Sequence, residues 1–259
     1  MGKEEERIAY LRQTPMEIGT IQARYRTALE VAQRLLGDKT SLWLDIGSNL
    51  GFGLQELCPS INRVIAVDID PEYIQLASER NPQVRGVAMD GCQLGFPNER
   101  FDLVSLFEVI EHTGEVQQRN LLAEANRILK PEGILLLSTP NKDAHGRRQM
   151  GIDHERELRP QELKQLLAEG GFIIQDTFGQ IFLNGSLFHD ILQNVRVNPL
   201  ATFIYYQLIP FSLRRGISDF TLSSQSPLQV RSPKPYEIPR IMFVVCQKNF
   251  NSSFEDYTT

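Results

Sequence analysis

The sequence predicts an α/β protein, doubly wound around a parallel sheet covered on both faces. Two observations carry that expectation. Strand-length apolar runs alternate with amphipathic helical stretches along most of the chain. Several of those runs are continuously apolar, as strands buried on both faces are. A third observation concerns what the sheet is for. In 42-LWLDIGSNLGFG-53 the apolar run is interrupted at Asp45, and four residues with little or no side-chain bulk follow: Gly47, Ser48, Gly51 and Gly53. Either the backbone turns tightly there or something approaches it closely.

The elements follow in order. Residues 16–36 place Ile18, Ile21, Tyr25, Ala28, Leu29, Ala32 and Leu35 at spacings of three and four, which predicts an amphipathic helix ended by Gly37. Strand 41–46 and a short helix 52–58 come next, then strand 63–68 and a helix over 72–80 with Pro71 in its first turn. Asp70 is expected to cap that helix. Strands are predicted at 84–89 and 101–107, a helix at 115–130, and a strand at 134–138 after the turn 131-PEG-133. A helix starting at Pro160 stops at the paired Gly170 and Gly171, and strands at 172–178 and 240–247 close the list. Residues 180–238 do not alternate cleanly. They hold the apolar stretch 200-LATFIYYQLIPF-211, followed by Arg214 and Arg215, and a Ser/Pro-rich loop over 223–239. The expected organisation is a helical cap (1–37), a core (38–179), an insertion or lid (180–238), the last core strand (239–248) and a tail (249–259).

The chain has 259 residues and a net charge of −5, an acidic balance that argues against nucleic acid as partner. Residues 180–248 carry seven Lys/Arg against three Asp/Glu, a local surplus that suits an anionic acceptor or a solvated face. The stretch 200–215 offers either a lid or a peripheral membrane contact. Cys58, Cys92 and Cys246 form no C-x-x-C pair, and the charged N-terminus has no apolar leader core; both fit a cytoplasmic protein.

In an open parallel sheet ligands bind beyond the carboxyl ends of the strands. Three motifs sit at such ends. After the first strand comes the loop 47–53, whose small residues let a ligand close to backbone N–H groups. After the second comes 67-VDID-70, in which Asp68 stands at the spacing where an acid meets ribose hydroxyls. After the third comes 89-MDGC-92, in which Asp90 has the chemistry to accept from an adenine amino group. The loop does not fit the dinucleotide pattern G-x-G-x-x-G. It resembles instead the first motif of the class I S-adenosylmethionine-dependent methyltransferases, roughly acid-x-Gly-x-Gly-x-Gly. Asp45, Gly47 and Gly51 match, and Asn49 takes the middle glycine's place. Segments 96–112, 126–141 and 154–172 resemble the same superfamily, nearest its branches acting on quinone precursors, on glycans and on small RNA ends. The resemblance implies a seven-strand sheet with its last strand antiparallel, S-adenosylmethionine as cofactor, and a cofactor site drawn from Asp45, Gly47, Ser48, Gly51, Asp68, Ile69, Asp90, Gly91 and Phe107.

The acceptor chemistry is expected in 108-EVIEH-112, where one helical turn would put Glu108, Glu111 and His112 on one face. Two functional readings stay open. In one, His112 or His154 acts without metal as base or substrate clamp, with Glu111 orienting it. In the other, the resemblance to quinone-type and small-RNA-type enzymes implies a divalent metal held by Glu108, Glu111, His112 and His154. Local hydrogen bonding of the two glutamates is the structural alternative. His145 falls in an expected loop, His189 among apolar residues, and Trp43 in the core. The expected reaction is O-methylation of a small molecule or a sugar of a glycan, lipid-linked acceptors included. A metal-dependent RNA-end methyltransferase and an inactive cofactor-binding module are the alternatives.

Overall fold

The structure is a computed structural model that describes residues 15–37, 42–61, 63–145, 153–184, 230 and 237–249. The stretch 200–215, His189 and the expected tail beyond Asn249 lie outside the described residues.

Seven strands form one sheet: β1 (Trp43–Ile46), β2 (Val64–Asp68), β3 (Arg85–Ala88), β4 (Phe101–Phe107), β5 (Leu129–Pro140), β6 (Phe172–Asn184) and β7 (Glu237–Lys248). Their order across the sheet is β3-β2-β1-β4-β5-β7-β6. Strands β1 to β5 pair in parallel, and β7 runs antiparallel between β5 and β6. The chain therefore leaves β1 toward β2 on one side and returns to β4 on the other. That reversal makes the carboxyl ends of β1 and β4 the walls of a crevice.

The helices are α1 (Pro15–Leu36), α2 (Leu54–Leu57), α3 (Pro71–Arg80), α4 (Glu115–Ile128), α5 (Lys142–His145) and α6 (Pro160–Glu169), with a 3-10 turn over Ile110–His112. They divide between two hydrophobic cores, one per face of the sheet. On one face Tyr25, Ala28 and Ala32 of α1, Leu54 of α2 and Ile74 of α3 pack with Trp43, Leu103 and Phe243. On the other, Leu121, Leu122 and Ala125 of α4 and Leu163 and Leu167 of α6 pack with Leu44, Leu106 and Leu135. Trp43 is fully buried, as its place in an apolar strand requires. Asp70 caps α3, its carboxylate accepting from the Glu72 N–H at 2.9 Å. No helix among the described residues is long and apolar enough to cross a membrane.

Three elements differ from expectation. β5 begins at Leu129 because Leu129 pairs with Phe101 before a register shift carries the ladder to Leu103 and Ile134. The turn 131–133 is thus a bulge within the strand, and α4 ends two residues early. β6 runs on to Asn184, paired with Glu237–Pro239 of a longer β7. Lys142–His145 forms a short helix where the sequence suggested a loop.

Candidate active site

The backbone turns immediately after β1, at Gly47, with φ +73°. Glycine is the residue that takes this conformation freely. Space requires it as well, since a Cβ would lie 2.3 Å from a Val109 methyl. Asn49 follows at φ +50° and Gly51 at φ +72°. Asparagine therefore accepts the left-handed conformation where the motif has glycine, its side-chain oxygen accepting from the Leu50 N–H at 2.7 Å. At Gly53 a Cβ would meet the Tyr25 ring at 2.1 Å. The small residues thus serve both purposes: they turn the chain, and they let Val109 and α1 press against the loop.

Asp45 lies beneath this loop and is 1% exposed. Tyr25 donates its hydroxyl to one carboxylate oxygen at 2.7 Å, and Ser105 donates to the other. The Trp43 indole N–H in turn donates to Ser105 at 2.8 Å. Burial pushes the Asp45 carboxyl up from its usual 3.8 to about 7, against the pull of the two hydroxyls. Asp45, expected at the cofactor, has both oxygens hydrogen-bonded inward, and neither it nor Asp68, Ile69, Asp90 or Gly91 is among the residues that line the cavity at the switch point.

Asp68 accepts the Asn49 N–H at 2.8 Å on one oxygen and the Asp70 N–H at 3.0 Å on the other. It ties the tip of β2 to the loop after β1. Beside it Ile69 is 74% exposed, an apolar side chain standing in solvent. Asp90, past the end of β3, is exposed and accepts the Cys92 N–H at 2.8 Å. Gly91 is excluded from bearing a side chain by Leu121 and Ile46. Partial burial, reinforced by Asp90, pushes the Cys92 thiol up to about 11, so it is no nucleophile at neutral pH.

A cavity of about 170 Å³ opens at the switch point. Its walls are the loop from Gly47 to Gly53, including Ser48, then Phe107, Glu108 and His112, with Ile21, Arg24 and Tyr25 of α1. Phe107 stacks on Phe243 at 5.5 Å and meets Tyr25 edge-on at 4.9 Å, which fixes this wall. Glu108 follows at φ +56°, a conformation that costs a non-glycine residue strain and recurs at functional sites. Its carboxylate pairs with Arg24 at 2.7 Å and accepts from Ser138 at 2.7 Å. Arg24 is 6% exposed, and its Nε is buried without a partner among the described residues.

The left-handed residue at 108 breaks the helical turn that the spacing suggested, because the 3-10 turn begins only at Ile110. Glu108 therefore faces α1, and the metal-type cluster is Glu111, His112 and His154 without it. One donor atom from each of these three lies within 4.8 Å of the other two. Glu111 is fully buried. Thr139 donates to its Oε2 at 3.0 Å, while Oε1 has no partner among the described residues. Burial, and then the charge of Glu108, raises the Glu111 carboxyl well above the usual carboxylate range. His112 places Nδ1 3.1 Å from the Asp153 carbonyl, and His154 places Nδ1 2.7 Å from Glu157 Oε1. The two rings meet edge to face at 4.9 Å. Burial lowers the His112 pKa, the neighbouring His154 adding to the fall while the Asp153 carbonyl opposes it.

His154 reaches the site because its segment is bolted to the 3-10 turn. The Glu155 and Arg156 N–H groups donate to the Glu111 carbonyl at 2.8 and 3.0 Å. The buried Gln118 amide donates to the Ile110, Thr113 and Arg156 carbonyls at 3.0, 3.1 and 3.0 Å. Sequence reasoning missed Arg24, Tyr25, Gln118 and Glu157 as parts of the site. Arg24 left a signal: it sits three residues after Ile21 and four before Ala28, a charge inside the apolar stripe of α1.

Residues 44–137 match a family described as a methyltransferase domain. A protein of Mycolicibacterium smegmatis, described as a probable S-adenosylmethionine-dependent methyltransferase, is 34% identical over 139 residues, covering 52% of this chain and 53% of its own. A ubiquinone biosynthesis O-methyltransferase of Brucella anthropi is 27% identical over 155 residues, covering 52% of this chain and 61% of its own. The chain spans about half the length of the curated relatives it matches first. A crystal structure of an S-adenosylmethionine-dependent methyltransferase from Clostridium acetobutylicum superposes with a TM-score of 0.57 at 11% identity, covering 88% of this chain and 91% of that one, a likeness of fold. The strand order with its single reversed strand, the Gly47–Gly53 turn over the tip of β1 and the domain match agree: residues 44–137 form a methyltransferase domain, on a fold like that of S-adenosylmethionine-dependent methyltransferases.

Proposed function

We propose that the chain transfers the methyl group of S-adenosylmethionine to an oxygen of a small molecule or of a sugar in a glycan, lipid-linked acceptors included. One observation carries this reading. His112 lines the same cavity as the Gly47–Gly53 loop and also belongs to the Glu111–His112–His154 cluster, so groups able to take a proton adjoin the cofactor turn.

The residues fit the cofactor. Ile69 offers an apolar face and Asp90 an acceptor for the adenine, and Asp68 suits ribose hydroxyls. Arg24 and Glu108, opposite charges on one cavity wall, suit the carboxylate and ammonium of an amino-acid head. The cofactor supplies a methyl group already activated on a sulfonium. The chain has three tasks: it holds the acceptor in line, closes the crevice with α1 against water, and takes the acceptor's proton on an imidazole nitrogen. With both Nδ1 atoms engaged, Nε2 is the nitrogen that His112 and His154 have left for this.

A divalent cation is a second reading, favoured by the buried Glu111 Oε1 that has no partner beside two histidines. Glu111, His112 and His154 would hold it, and it would polarise the acceptor oxygen. The name of the Brucella relative points the same way as to oxygen chemistry on a small molecule.

The test is incubation of the protein and methyl-labelled cofactor with fractionated cell extract, with and without chelator. Label in the small-molecule, lipid or polysaccharide fractions supports the reading, and its loss with chelator supports the cation. Label confined to RNA would move the acceptor to an RNA end. Cofactor binding without label in any fraction would make this an inactive binding module.

A further inference from the structure

We infer that Glu157 is a positioning residue, which sets the tautomer of His154 so that its Nε2 faces the reaction with a lone pair. The step rests on the methyltransferase reading for what that lone pair serves, but the tautomer stands on geometry alone. Glu157 is 3% exposed and holds its Oε1 2.7 Å from His154 Nδ1, three residues away. An ionised carboxylate only accepts, so Nδ1 carries the proton and Nε2 is bare. His112 is set in the same sense by a different group. The Asp153 carbonyl 3.1 Å from its Nδ1 can only accept, so its Nε2 is bare too.

The two settings are not equivalent. A backbone carbonyl survives every substitution, whereas Glu157 is a side chain whose exchange alters one ring and leaves the other. Glu157 also lies beside the bolt that fixes the segment, since Arg156 donates to Gln118 and the Leu158 carbonyl accepts from Lys142 at 3.1 Å. The segment that carries Glu157 is thereby held on both its flanks, and the carboxylate is left the task of orienting the His154 ring. Two bare nitrogens then present two acceptors and no N–H donor to whatever occupies the cluster. Such a pair takes a proton or binds a cation.

Nitrogen-15 histidine spectra of the full chain at about pH 8, above the ordinary imidazole range, test this directly. His154, assigned with His154→Asn, is expected protonated at Nδ1 and bare at Nε2. Glu157→Gln, whose amide can also donate, is expected to shift His154 toward the Nε2–H tautomer and leave His112 unchanged. The same variant is expected to lower methyl transfer about 10- to 100-fold with calorimetric affinity for S-adenosylmethionine unaltered. An Nε2-protonated His154 in the wild-type chain overturns the inference, and needs no variant to fold. So does a Glu157→Gln spectrum identical to wild type. Absence of S-adenosylmethionine binding by the wild-type chain would instead overturn the methyltransferase reading, with the tautomer still decided by the spectra.

Discussion

Asp45→Asn tests the buried chain under the cofactor turn. Asp45 is 1% exposed, and burial raises its carboxyl from 3.8 to about 7 in the folded chain. An acid with a raised folded pKa binds its proton more tightly when folded than when unfolded. Between about pH 4 and 7 the unfolded chain has released that proton and the folded chain has not, so stability falls as pH rises through this window. The displacement is about three pH units, which at about 1.4 kcal/mol each amounts to ~4 kcal/mol lost by pH 8. Asparagine cannot ionise, yet its oxygen can accept from Ser105 and its NH2 can donate to the Tyr25 oxygen, so the geometry is kept. All other titrating groups are common to the two proteins and cancel in the difference. The assay is urea unfolding of both at steps from about pH 4 to pH 8. The gap between them should move in favour of Asp45→Asn by ~4 kcal/mol across the range. A gap that stays constant would show that Asp45 is ionised in the folded chain throughout, and the argument from burial would fail.

Three further substitutions probe the rest of the site. Gly47→Ala places a Cβ against Val109 at φ +73°, so unfolding should cost about 1–3 kcal/mol less than in wild type and calorimetric cofactor binding should be lost; retained binding would refute the fit of the turn. Asp68→Ala removes the acceptor for the Asn49 and Asp70 N–H groups, and cofactor affinity should fall at least about 10-fold, ~1.4 kcal/mol, in the same calorimetry. Gln118→Leu removes a donor from the Thr113 and Arg156 carbonyls, while the Ile110 carbonyl keeps the Thr113 hydroxyl, so the chain should lose about 2–3 kcal/mol by urea unfolding, with methyl transfer falling more steeply than cofactor affinity.

What was legible in the sequence is what is encoded locally. Two glycines and an asparagine within 47–51 can be read as a turn because each answers a backbone requirement at its own position, and φ of +73°, +50° and +72° at Gly47, Asn49 and Gly51 meets that requirement. Asp68 and Asp90 were placed by counting to strand ends; Asp68 closes β2, and Asp90 stands two residues past the end of β3. The antiparallel β7 came only through the resemblance, and the order of the sheet was not read at all, because strand pairing is a long-range choice that periodicity does not record.

The failures share one cause, which is direction. Asp45 was placed at the right strand end, yet a strand's period of two does not say which neighbour a carboxylate will find, and Tyr25 arrives from a helix far earlier in the chain. Glu108 and Glu111 looked equivalent only while residues 108–112 were taken as one helical turn; a single left-handed residue at 108 sends the first to Arg24 and leaves the second buried beside the histidines. Arg24 shows how the missing half could be inferred. A guanidinium inside an apolar stripe cannot be buried alone, because desolvating it costs several kcal/mol. Some carboxylate at the crevice had to meet it, and the one that turned toward α1 was the one the spacing rule had assigned elsewhere. The strain at Glu108 and the burial of Arg24 are therefore one arrangement, and this pair lines the cavity together with the glycine turn.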